Sequence, residues 1–102
     1  MVLRNHVKME FPAVPENVAF CRVAIAAFAS QLDFTLDELE EIKVAVSEAV
    51  TNAIIHGYQG QPSGLVRVIA GINDQRLEVR VEDDGVGIVN VEIAMQPAYS
   101  TC

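Results

Sequence analysis

The chain has 102 residues, 51% of them hydrophobic and 21% charged, which suits one folded domain with its own core and excludes a disordered chain. Seven Lys and Arg stand against 14 Asp and Glu, a formal net charge of −7. That balance speaks against a nucleic-acid binder, which needs a basic face for phosphates, and against adhesion to an anionic membrane. It leaves room for a bound nucleotide, because a metal ion can supply the missing positive charge.

Two cysteines, Cys21 and Cys102, are too few for a disulfide framework, so a reduced, cytoplasmic chain is expected. No charged stretch followed by an apolar run opens the sequence, so no signal peptide is expected. The longest nearly uncharged apolar run, residues 23–32, falls far short of the ~20 residues of a membrane helix.

Residues 7–11 (VKMEF) alternate apolar and polar, as a short strand does, and Pro12 ends the run. Pro15, Glu16 and Asn17 then open a helix, with proline in the first turn and an acid near the positive end of the dipole. Val18, Cys21, Ile25, Phe28 and Leu32 give it one apolar face, until Asp33 and Phe34 break the spacing. Thr35-Leu36-Asp37-Glu38 has the form of a capping box. Behind it Leu39, Ile42, Val46, Val50 and Ile54 form a second stripe, predicting a helix of about 22 residues that runs to Gly57, where a left-handed cap is expected.

Residues 59–64 (QGQPSG) have the composition of a loop. Residues 65–72 are rich in Val and Ile and predict a strand, Asn73-Asp74-Gln75 a turn, and residues 76–83 a strand with Leu77, Val79 and Val81 on one face and Glu78, Arg80 and Glu82 on the other. Asp84-Gly85-Val86-Gly87 leaves that strand as a glycine loop, residues 91–95 suggest a helical turn, and residues 96–102 have no strong preference. Strand, helix, helix, strand, strand predicts an α+β two-layer sandwich, with helices on one face of a mixed, mainly antiparallel sheet.

Two features could carry chemistry. Glu48, Asn52 and His56 recur every four residues on the second helix, with Ala45 and Ala49 beside them. A solvated face ending in a dipole-favoured histidine is the plainer reading, but the small alanines leave room for something to lie against the helix. Asp83-Asp84-Gly85-Val86-Gly87 is equally ordinary as a tight turn. Its other use is to let a ligand approach a backbone without Cβ atoms, next to an acid that can accept from an amino group.

The two features together are more specific. Residues 48–58 (EAVTNAIIHGY), a hairpin, and then residues 83–88 (DDGVGI) resemble the gyrase/Hsp90/histidine-kinase/MutL ATPase superfamily. Within it they are most similar to the anti-sigma F factor family of endospore-forming bacteria, a likeness that spans nearly the whole chain. The resemblance implies a histidine-kinase-like ATPase fold, ATP and Mg²⁺ as cofactors, and protein serine kinase activity. It implies that Asn52 holds Mg²⁺ and nucleotide, that Glu48 is the general base for an attacking serine, and that Asp83 accepts from the adenine amino group. Gly85 and Gly87 would let the base approach, Thr101 would touch nucleotide at the start of a lid, and His56 would support the helix end or lid. Arg22, expected to be exposed between Phe20 and Val23, would contact protein partners, although a plain surface arginine fits the same pattern.

The implied partners are a sporulation sigma factor, an anti-anti-sigma protein that is phosphorylated, and a second copy in a homodimer. The family's pattern continues into a second glycine box, which presents backbone N–H groups to the phosphates, and into further strands. Here the lid-like residues 96–101 are followed only by Cys102. The expectation is therefore one domain, residues 1–102, that lacks that box and the final strands. A general-stress anti-sigma kinase, a histidine-kinase ATP domain, and a sigma-binding module without ATP binding stay open as alternatives.

Overall fold

The computed structural model describes residues 4–57, 64–83 and 90–97. Its elements are β1 (Asn5–Pro12), α1 (Glu16–Ala29), α2 (Leu36–Asn52), a π-helical turn (Ala53–Gly57), β2 (Leu65–Asn73), β3 (Arg76–Asp83) and β4 (Asn90–Met95). The strands form one sheet in the order β1-β2-β3-β4, with each described pair antiparallel. This is the expected α+β arrangement, and all of the described pairing is antiparallel.

The strands alternate as their sequences require. Val66, Val68, Ala70 and Ile72 of β2 and Leu77, Val79 and Val81 of β3 are buried, and they form one core with Phe11 of β1, Cys21, Ile25 and Ala29 of α1, and Ile42, Val46, Ala49 and Val50 of α2. The helices therefore cover one face of the sheet. Asn73 pairs with Arg76 around a two-residue turn, and Asp74 takes φ 55° there, a left-handed conformation that Asp tolerates better than most residues.

The opposite face carries charge. Arg67 reaches Glu82 at 3.3 Å and Glu10 at 3.8 Å, while Arg80 reaches Glu92 at 3.4 Å and Glu82 at 3.6 Å. Cross-strand register places these residues on neighbouring rungs: Glu10 opposite Arg67, Arg67 opposite Glu82, and Arg80 opposite Glu92.

α2 starts on the capping box. Thr35 Oγ1 accepts from the Glu38 N–H at 3.1 Å, and the Thr35 N–H donates to Glu38 Oε1 at 2.8 Å. Thr35→Ala should lower stability by about 1 kcal/mol, because it orphans an N-terminal donor, and urea denaturation should show a lower midpoint at an unchanged slope. At the start of α1, Asn17 Nδ2 donates to the Pro12 carbonyl at 2.9 Å and ties the helix to the end of β1.

Two expectations need correction. Residues 91–95 are not a helical turn but most of β4, in which Val91 pairs with Val81, Ile93 with Val79 and Met95 with Leu77. An isolated turn of helix is a poor competitor when the neighbouring strand offers a row of unpaired N–H and C=O groups. The second helix spans the expected residues, but only its first 17 are α-helical; Ala53–Gly57 follow as a five-residue π turn. A π turn holds more residues than an α turn, so the four-residue rule that aligns Glu48 with Asn52 does not carry on to His56.

Burial pushes the Cys21 thiol up from 9.0 to about 11. The folded state favours the neutral thiol, so this contribution is complete below pH 9 and is lost as pH rises through 11. Denaturation midpoints should therefore fall across that interval. Peptide mapping after alkylation at about pH 8 should find Cys21 blocked only in unfolded protein.

Candidate functional site

Asp83 is the last residue of β3 and the fourth inward position after Leu77, Val79 and Val81. It is 1% exposed, and it is the sole polar or charged side chain among the described residues that is buried. A carboxylate is kept in such a place at a desolvation cost, which makes a buried acid at a strand end a functional candidate. α2 and the π turn both pack on β3, the strand that ends at Asp83.

Glu48 and Asn52 lie on successive turns of α2, and both are exposed. With Ser47 and Thr51 they line one depression of about 290 Å³. Glu48 makes no hydrogen bond or ion pair among the described residues, so its carboxylate is free to accept. Ser47 and Thr51 were not singled out from the sequence, although their own i, i+4 spacing beside Glu48 and Asn52 is the signal for them. Ser47 Oγ is buried without a hydrogen-bond partner in the described structure.

The structure thus brings Glu48 and Asn52 together. Asp83 is not among the residues that line their depression; it ends β3, a strand on which α2 packs. His56 follows in the π turn, and Gly85, Gly87 and Thr101 lie outside the described residues. Arg22 is half-buried rather than exposed; its neighbours Phe20 and Val23 are 60% and 63% exposed.

The donor set can be tested against the implied groups. No cluster of three or more His, Cys, Asp or Glu able to hold a metal occurs among the described residues. Mg²⁺ does not require one, since it is commonly held by one or two protein oxygens together with substrate phosphates and waters. The Asn52 amide oxygen, on an open depression, is a hard ligand of that kind. The buried Asp83 suits an amino-bearing base, because a carboxylate accepts and an exocyclic amino group donates. The residues fit both groups.

Comparison with known proteins shows the family. Residues 11–101 match the histidine kinase-like ATPase domain. The chain is 52% identical over 97 residues to the anti-sigma F factor of Clostridium beijerinckii, covering 95% of this chain and 68% of that protein. It is 52% identical over 99 residues to those of Halalkalibacterium halodurans and of Geobacillus thermodenitrificans, covering 97% of this chain and 68% of each relative. No described helix is long and apolar enough to cross a membrane. With a domain match over most of its length and half of its residues shared with these relatives, the chain belongs to the anti-sigma F factor family of histidine kinase-like ATPases.

Proposed function

We propose that this protein binds and inhibits a sporulation sigma factor and, with Mg·ATP, phosphorylates a serine of the anti-anti-sigma protein that opposes it. The observation that carries the reading is the pairing of Glu48 with Asn52 on adjacent turns of α2, in one shared depression. Phosphoryl transfer asks mainly for positioning and charge neutralisation, and these two side chains offer one of each kind of help. The amide oxygen of Asn52 would hold Mg²⁺, which when bound would neutralise phosphate charge. The Glu48 carboxylate, unpaired and one turn away, accepts the proton of the serine hydroxyl. Asp83 accepts from the adenine amino group, and Gly85 and Gly87 let the base lie close to the backbone. Bound ATP supplies the transferable phosphoryl group.

Sigma binding falls to α1. Phe20 and Val23 are large apolar side chains that the described fold leaves exposed, and Arg22 between them makes no ion pair among the described residues. Apolar anchors beside an arginine are the usual make-up of an interface centre. The protein works as a homodimer, for which the charged face of the sheet is suited: its alternating Arg and Glu rungs can complement a second copy of themselves. Its place is the cytoplasm, where ATP and the sigma factor meet.

Incubation with radiolabelled ATP, Mg²⁺ and the anti-anti-sigma protein, beside a sigma pull-down, tests the reading. Labelled serine together with sigma capture is the expected result. Capture without transfer would reduce the protein to an anti-sigma binding module.

A further inference from the structure

We infer that a second copy of this chain packs on the helix-free face of the sheet, about a two-fold axis midway between the rungs of Arg67 and Ile69, and that Leu65 of each copy sits in the depression between Gly71 and Ala94 of the other. This deepens the homodimer reading above and rests on it.

The helices cover one face of the sheet, and the described residues leave the other open. Lys8, Arg67, Arg76 and Arg80 lie on the open face against Glu10, Glu78, Glu82 and Glu92. This face is therefore balanced on a chain of net charge −7, and it is where a second copy meets least repulsion. Lys8 makes no ion pair among the described residues, so its charge is available to a partner. The face also carries a knob and a hole. Leu65, at the start of β2, is 43% exposed. Further along the same strand face, a depression of about 250 Å³ opens beside Gly71 and Ala94. A glycine and an alanine leave there the space that longer side chains fill on the neighbouring rungs.

Charge and shape select the same axis. Lys8, Ile69 and Arg80 share one rung of the sheet, and Glu10, Arg67 and Glu82 share the next. A two-fold axis between two stacked sheets, running across the strands, turns each rung of one copy onto a rung of the other. An axis on either rung would set Arg80 over Arg80 or Glu82 over Glu82, and like charges so placed repel. An axis midway between the two sets Lys8 over the partner's Glu10 and Arg80 over the partner's Glu82. The same axis carries Leu65 onto the partner's Gly71, because the two residues lie equally far from it on β2. Stacked sheets cross at about 30°, and the depression reaches from β2 to β4, which allows for that turn.

Sedimentation equilibrium over a range of protein concentrations tests the assignment. Leu65→Glu is expected to raise the dimer Kd tenfold to a hundredfold, roughly the worth of the two leucines buried per dimer. Lys8→Glu and Glu10→Lys should each raise it about tenfold, since each sets like charges over one another. All three side chains are exposed, so circular dichroism of the variants should match the parent. An equimolar mixture of Lys8→Glu with Glu10→Lys should regain the parent affinity, because the mixed pair restores opposite charges at both contacts. Loss without that rescue would overturn the axis. Rescue together with parent-like association of Leu65→Glu would move the contact to the β1 edge and overturn the face. Parent-like Kd values in all three variants would overturn the interface and leave the homodimer standing. A parent protein that stays monomeric at every concentration would instead sink the homodimer reading, and this inference with it.

Discussion

Glu48→Gln is expected to leave ATP and sigma binding intact and to slow phosphorylation of the anti-anti-sigma protein by roughly 10²–10⁴, the usual worth of a general base. Glutamine occupies the same space and reaches the same atoms but takes no proton at neutral pH. Because Glu48 is exposed and makes no hydrogen bond or ion pair among the described residues, the substitution breaks no structural contact, and melting should be unchanged. Asn52→Ala separates the two roles on one helix face: losing a metal ligand should weaken Mg·ATP binding as well as transfer. Radiolabel transfer measured beside calorimetric ATP titration distinguishes them. Parent-rate transfer by Glu48→Gln would move proton acceptance to a group of the substrate or to water.

Asp83→Asn is expected to weaken adenine-nucleotide binding tenfold to a hundredfold. Exchanging a buried charged acceptor for an amide, in a site that needs an acceptor, costs about 1.5–3 kcal/mol. The near-identical shape should keep the fold, which matters because Asp83 continues the inward row of Leu77, Val79 and Val81. Since the loss concerns the base, adenosine, ADP and ATP should all weaken by a similar factor, and a nucleotide without the amino group should bind parent and variant alike. Unchanged ATP affinity would remove Asp83 from the site.

Where local chemistry decides a feature, it is legible in the residues. The capping box at Thr35, the hairpin turn at Asp74 and the alternation of β3 each depend on neighbours within four residues, and each occurs as its sequence requires. The spacing of Glu48 and Asn52 is of the same kind, because one α-helical turn aligns them wherever the helix goes. β4 is different in part. Val91, Ile93 and Met95 do alternate with Glu92 and Ala94, but so short a run is ambiguous until an unpaired strand edge lies beside it, and β3 supplies that edge. The π turn after Asn52 is likewise set by packing: Ala53 and Ile54 are both buried and the turn rests on β3. Sequence by itself determined which residues are candidates for chemistry, because side-chain type and helical spacing are local properties. Only the fold could bury Asp83, because burial is a sum over neighbours from distant parts of the chain, and burial is what makes that carboxylate a candidate for binding a base.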